Sequence, residues 1–112
     1  MNLVPTISDA LLSLNGLSIG DTIGAAFGEG AAGFAALEIG NQELPPAPWQ
    51  WTDDTHMAVS IVENLATHGE INHDALAERF ADEPFRGYGQ GAAWLLTQMH
   101  EGNDWRMLSR AF

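Results

Sequence analysis

Residues 49–57 read WQWTDDTHM, and in them Thr52, Asp53, Asp54 and Thr55 set two adjacent carboxylates between two hydroxyls where an apolar helical run begins. Neighbouring like charges repel, so the pair needs a reason. Three chemistries compete. From spacing alone the commonest is capping, with Thr52 as N-cap and Asp53 and Asp54 in the first turn, where the helix dipole stabilises each by about 0.3–1 kcal/mol. The second is a hard-cation site: a hydroxyl and two carboxylates from one turn offer the oxygen ligands that Mg²⁺ takes while it keeps several waters. A bound cation would also remove the repulsion. The third is a general acid/base pair, which ranks last because neighbours on a helix point about 100° apart and rarely face one substrate atom together.

The other candidate groups carry less. His56, His68, His73 and His100 show no zinc-type spacing and are expected at the surface. Gly28-Glu29-Gly30 does not make a dinucleotide fingerprint, and neither a nucleophile elbow nor a phosphate-binding loop is present. With 15 acidic against 4 basic side chains the net charge is -11, which argues against nucleic acid and anionic membrane as partners and favours cations. The absence of cysteine excludes disulfides, thiolate zinc sites and a cysteine nucleophile. The longest uncharged stretch near the N-terminus, Ala10 to Gly20, has 11 residues and no basic flank. It is too short for a membrane span and unlike a signal peptide, so a cytoplasmic location is expected.

The elements that position these residues read as helices. The first runs over Ser8–Gly28, with Thr6 or Ser8 as cap and Asp9 in its first turn. Gly16, Gly20, Gly24 and Gly28 make a stripe without side chains. Each costs a helix about 1 kcal/mol relative to alanine, and close approach of another helix or a ligand is the usual compensation. Asp21, inside this apolar stretch, either faces solvent or serves a polar centre. A loop with Pro45, Pro46 and Pro48 then delivers the chain to Trp51.

The next helix, Thr55–His68, carries an apolar stripe of Met57, Ala58, Ile61, Val62, Leu65 and Ala66 and stops at Gly69. Asn72 caps a third helix that runs to about Asp82, with Ile71 and Leu76 as a hydrophobic staple. Phe85–Gly91 is a glycine-rich turn with Arg86 and Tyr88. Ala92–His100 is helical with Trp94, Leu95 and Met99 inward, and Asp104 caps a last helix that begins at Trp105. No segment alternates with period two, so the fold class is all-α. The pattern stops two turns into the last helix and reads as a truncation.

Four blocks, GLSIGDTIGAAFGEG (Gly16–Gly30), WTDDTHMAVSIVENLATHGEI (Trp51–Ile71), RGYGQG (Arg86–Gly91) and GNDWR (Gly102–Arg106), stand in the order and spacing of the ADP-ribosylglycohydrolase family. The chain resembles that family over nearly its whole length. The resemblance implies an all-α orthogonal helical bundle with a two-magnesium centre, Mn²⁺ being an alternative, and places Thr52, Asp53 and Asp54 among the metal ligands. It implies catalytic roles for Asp53 and Asp54, substrate contacts from Glu29, Gly87, Tyr88 and Gly89, and hydrolysis of the bond between ADP-ribose and an acceptor. The partners would be an ADP-ribosylated protein or an ADP-ribose-containing small molecule, with no nucleic acid and no membrane.

Two positions depart from the family pattern: an acidic residue common at Gly28 stands one place later at Glu29, and His56 replaces a common glutamine. The family's distal Asp-x-Asp-Ser/Thr block and its glycine-rich substrate segment are not in this sequence. Residues 1–112 are therefore expected to be the N-terminal portion of one such domain, with about half the ligands. The alternative is a non-catalytic relative or truncated remnant that serves as a metal-binding or packing module.

Overall fold

The computed structural model describes residues 4–28, 40–41, 43–44 and 46–111, so Glu29 and most of the connection that follows it lie outside the described residues. Among the described residues there are five α-helices, α1 (Ile7–Gly28), α2 (Asp53–His68), α3 (His73–Ala81), α4 (Gln90–His100) and α5 (Trp105–Leu108), then a 3₁₀ turn over Ser109–Ala111, and no strand. The fold is all-α, as the periodicity predicts. Each helix packs on the next in sequence, as short connections favour.

The helix boundaries have local causes. Thr6 and Asp9 form a reciprocal box at the start of α1: the Asp9 amide donates to Thr6 Oγ1 at 3.2 Å, and the Thr6 amide donates to Asp9 Oδ2 at 2.8 Å. These bonds to Thr6 hold the Asp9 carboxyl below its ordinary range. Gly69 ends α2 in the left-handed region at φ 75°, with its amide donating to the Leu65 carbonyl. Asn72 and Asp104 cap α3 and α5 by accepting from the amides of Ala75 and Arg106.

Over Ile7–Phe27, α1 is long and apolar enough to cross a membrane by length and composition alone. Counting uncharged runs underrates it, because only Asp9 and Asp21 interrupt the stretch. Asp21 is what fastens α1 to α2. Its carboxylate accepts from the Thr52 amide at 2.8 Å, Thr52 Oγ1 at 2.7 Å, the Thr55 amide at 3.3 Å and Thr55 Oγ1 at 2.6 Å. Thr52 occupies the N-cap position but its side chain makes no capping bond. The cap of α2 is instead delivered from α1.

The deepest face of α2 is not the apolar stripe that the periodicity singles out. Thr55, His56, Ser60 and Asn64 are buried, while Ile61 and Ala66 are exposed and Met57, Ala58, Val62 and Leu65 lie half-buried. Polar burial is tolerated because each group is partnered. Ser60 Oγ donates to the His56 carbonyl at 2.7 Å, and Asn64 exchanges two hydrogen bonds with the backbone of Asn72 at 2.8 and 3.2 Å. His56, expected at the surface, is 0 % exposed because Tyr88 and Arg79 supply partners for both ring nitrogens. His68, His73 and His100 are exposed, as expected.

In α4 the fully buried residue is Leu96, and Trp94, expected inward, is about half exposed. A Cβ added at Gly16, Gly20 or Gly24 meets nothing within 4 Å, so tight helix packing is not what this stripe serves among the described residues. Ala81, Pro84 and Leu96 are the buried apolar side chains there, whereas Leu11, Leu12 and Ile19 on α1 are exposed.

The GNDWR block is a latch. Arg106 grips Asp74 of α3 with both terminal nitrogens, at 2.7 and 3.0 Å, and the Trp105 indole N–H donates to the same carboxylate at 2.8 Å. The Arg106 guanidinium lies 4.5 Å over the Trp105 ring, which stacks in turn on His73. The bonds from Arg106, then from Trp105, hold the Asp74 carboxyl at about 2.

Two predictions follow from these contacts. In Asp21→Asn an amide N–H₂ faces hydroxyl and amide donors, so denaturant unfolding is expected to show a loss of about 1–3 kcal/mol. Unchanged stability would show that Asp21 does not fasten the two helices. Burial opposes the Asp21 charge, but the donors of Thr55 and Thr52 outweigh it and keep its pKa low. A carboxyl depressed in the folded state stabilises the fold above its ordinary pKa and loses that contribution as pH falls. For Asp74 the loss belongs between the ordinary 3.8 and about 2. The Trp105 indole N–H resonance should lose its hydrogen-bonded shift across that window, and in Asp74→Ala at neutral pH; an invariant resonance would remove the latch.

Candidate functional site

The turn that starts α2 is clamped from two sides. From one side Asp21 collects the donors of Thr52 and Thr55. From the other, three consecutive residues of the glycine-rich turn touch the same strip of chain. The Arg86 guanidinium lies 4.2 Å over the Trp51 ring, and its Nε donates to Glu83 at 2.7 Å. Gly87 sits so that an added Cβ would be 3.9 Å from Asp53 Oδ1. The Tyr88 hydroxyl is 2.7 Å from His56 Nδ1. Gly87 has φ 88°, which L side chains rarely adopt, so glycine is what lets the turn set Arg86 over Trp51, just before α2, and Tyr88 against His56 within it.

The two aspartates point apart, as neighbours on a helix must. Half-buried Asp53 faces the Gly87 turn. Exposed Asp54 lines a cleft of about 620 Å³ with Gly20, Asp21, Gly24 and Thr52. A second cleft of about 670 Å³ lies on the other side, walled by Trp51, Thr52, Glu83, Arg86 and His100. Thr52 borders both. The expected first-turn placement of Asp53 and Asp54 is therefore correct. The carboxylates of Asp53 and Asp54 accept no hydrogen bond and form no ion pair among the described residues.

The donor set fits a hard cation in part. Thr52 Oγ1 gives its proton to Asp21, which leaves its lone pairs available, and Asp53 and Asp54 add two uncommitted carboxylates of the oxygen type that Mg²⁺ prefers. Among the described residues no group of three or more His, Asp or Glu side chains converges on one point. This turn would thus supply some of the ligands and leave the rest to water or to other residues.

Next to it a polar chain runs from buried His56 out to the exposed Glu63. His56 Nε2 lies 3.2 Å from an Arg79 terminal nitrogen, and Arg79 Nε donates to Glu63 at 2.8 Å. Burial, with Arg79 and Arg86 nearby, lowers the His56 pKa, although Glu83 opposes this. Burial first, and then the Asp53 charge, push the Tyr88 hydroxyl up to about 12. At neutral pH the imidazole and the phenol are both uncharged.

Of the residues singled out from sequence, Thr52, Asp53, Asp54, Gly87 and Tyr88 come together, with Gly89 next in the turn as the residue that precedes α4; Glu29 lies outside the described residues. Sequence reasoning missed the Arg86–Trp51 stack and the Arg79–His56–Tyr88 chain. Their signal was faint: one arginine and one tyrosine within a glycine-rich turn, and a histidine directly after the acidic block.

The family model for ADP-ribosylglycohydrolase matches residues 5–111. ADP-ribosylhydrolase ARH3 of Xenopus tropicalis is 33% identical over an alignment of 110 positions that takes in 88% of this chain and 31% of that protein. No solved structure matches the chain. The clamped Thr52–Thr55 turn lies inside the matched region, and the chain belongs to the ADP-ribosylglycohydrolase family.

Proposed function

We propose that the protein hydrolyses the bond between the anomeric carbon of ADP-ribose and an acceptor, a protein side chain or a small molecule, with magnesium or manganese as cofactor. The observation that carries this reading is the division of labour at the start of α2. Asp21 takes up the protons of Thr52 and Thr55, while Asp53 and Asp54 are left uncommitted and turned to different sides. The printed name of the amphibian relative, an ADP-ribosylhydrolase, supports the substrate class.

In this reading Thr52, Asp53 and Asp54 hold the cation. When bound, it supplies Lewis-acid polarisation of a ribose hydroxyl or of a water. Asp53 and Asp54 also set a negative potential against the positive charge that develops on the ribose as the acceptor leaves. Asp21 acts through Thr52, fixing the hydroxyl with its lone pairs outward. Gly87 and Gly89 keep the facing turn narrow, and Tyr88 forms a wall beside Asp53.

The partial donor set favours a second reading for the 112 residues by themselves, a module that binds the cation weakly without turning over substrate. The test separates the two. Asp53→Asn and Asp54→Asn are each expected to weaken Mg²⁺ binding in calorimetry at least about 100-fold, since even outer-shell changes cost 10–100-fold. In the complete protein, ADP-ribose release should stop on chelation, return with Mg²⁺ and be lost in both variants. Release that survives chelation or both substitutions would refute the hydrolase reading. Metal binding by the chain without release from the complete protein would establish the module.

A further inference from the structure

Tyr88 is the chain's one tyrosine, and its hydroxyl has a single protein hydrogen-bond partner among the described residues, His56 Nδ1 at 2.7 Å. Which of the two atoms donates follows from the far side of the imidazole. His56 Nε2 lies 3.2 Å from a terminal nitrogen of Arg79, and a guanidinium in a protein has protons to give and no lone pair to accept with. Nε2 must therefore present its lone pair. A buried, uncharged imidazole then carries its proton on Nδ1, and Nδ1–H donates to the Tyr88 oxygen. That bond occupies a lone pair of the phenol and leaves its O–H proton aimed elsewhere. The Glu63 carboxylate, which accepts from Arg79 Nε at 2.8 Å, holds the guanidinium in place at the head of this chain.

The direction left to the proton is set by the backbone. Asp53 and His56 are three residues apart on α2 and so share a face. Gly87, the residue before Tyr88, lies against Asp53 Oδ1. Tyr88 is half-buried as a residue, and the Asp53 charge acts on its hydroxyl.

We infer that Arg79 and His56 are positioning residues that fix the Tyr88 hydroxyl as a hydrogen-bond donor beside Asp53, where it takes an oxygen acceptor of the bound ligand. The inference rests on the ADP-ribose reading for the identity of that ligand, but not for the polarity of the chain. A tyrosine free to rotate could accept or donate and would discriminate little between ligand oxygens. One whose lone pair is held by an N–H favours acceptors, such as a ribose ring or phosphate oxygen, or an attacking water that must present its own lone pair.

Glutamine and glutamate at position 56 are equal in size and opposite in the relevant sense. In His56→Gln the carboxamide oxygen accepts from Arg79 and its N–H₂ donates to Tyr88, so the chain keeps its polarity. In His56→Glu the carboxylate accepts from Arg79 and also from the phenol, capturing the proton meant for the ligand. Calorimetric titration of ADP-ribose at saturating Mg²⁺ should therefore show near wild-type affinity for H56Q and about tenfold weaker binding for H56E and Y88F, the scale of one hydrogen bond. In the Y88F background H56Q and H56E should be equal, which separates proton capture from a general charge effect. Thermal unfolding of each variant confirms that it is folded.

Equal affinities of folded H56Q and H56E would overturn the inference and leave the ADP-ribose reading standing. So would a difference that persists in Y88F. Long-range ¹H–¹⁵N NMR of the free protein reads the imidazole directly: a proton on Nδ1 and a bare Nε2 support the chain, and an Nε2–H tautomer overturns it. If the Nδ1–H form is present and wild type binds no ADP-ribose, the substrate assignment fails while the fixed donor is upheld.

Discussion

The carboxylate of Asp21 is the interaction on which the rest of the structure depends. It spans from the middle of one helix to the first turn of another 31 and 34 residues later, and takes four donors from two threonines. The amide groups at a helix start have no partners within the helix and carry its positive end, so an anion there satisfies hydrogen bonds and charge together. With that function discharged by Asp21, Asp53 and Asp54 need not cap. The structure thus separates two roles that the sequence places in the same four residues: a structural carboxylate from α1, and two carboxylates in α2 that face outward on different sides.

The remainder of the site is held by polar contacts more than by a deep apolar core. Among the described residues the buried apolar side chains are Ala81, Pro84 and Leu96, whereas Thr55, His56, Ser60 and Asn64 form the buried face of α2. Polar groups in such positions are costly unless every one is satisfied, and satisfied networks restrict geometry more sharply than apolar contacts do. Asn64 sets where α3 begins through its two bonds to Asn72. His56 sets where the Tyr88 hydroxyl lies. Arg86 then anchors the residue that leads into Thr52 by covering the Trp51 ring.

How much of this was legible in the sequence depends on whether the cause was local. Helix ends were legible because their causes lie within four residues: Gly69, Asn72 and Asp104 act where they stand. The acidic turn was legible as a chemical anomaly, and its family resemblance was confirmed over residues 5–111. The buried face of α2 was not, since periodicity ranks residues by hydrophobicity and cannot see that Tyr88, Arg79 and Asn72 arrive to satisfy polar groups. Asp21 stood between the two cases. Its placement in an apolar helix showed that it needed partners, but their identity depended on a contact across 31 residues.

The glycine stripe of α1 and the direction of Asp54 bear on one another. Each glycine in a helix interior costs about 1 kcal/mol against alanine, and here no packed neighbour accounts for Gly16, Gly20 or Gly24 among the described residues. Gly20 and Gly24 nevertheless line the same cleft as Asp54, one residue before and three residues after Asp21. Side chains at those two positions would project into the same space that the outward carboxylate faces. An open floor on α1 and an uncommitted carboxylate on α2 are thus two sides of one cleft, and Asp21 between them keeps the sides at a fixed distance. Asp53, on the opposite side, faces a turn whose own glycine at position 87 brings the chain close. Each of the adjacent aspartates thus stands beside glycine, Asp54 in the cleft lined by Gly20 and Gly24 and Asp53 against Gly87.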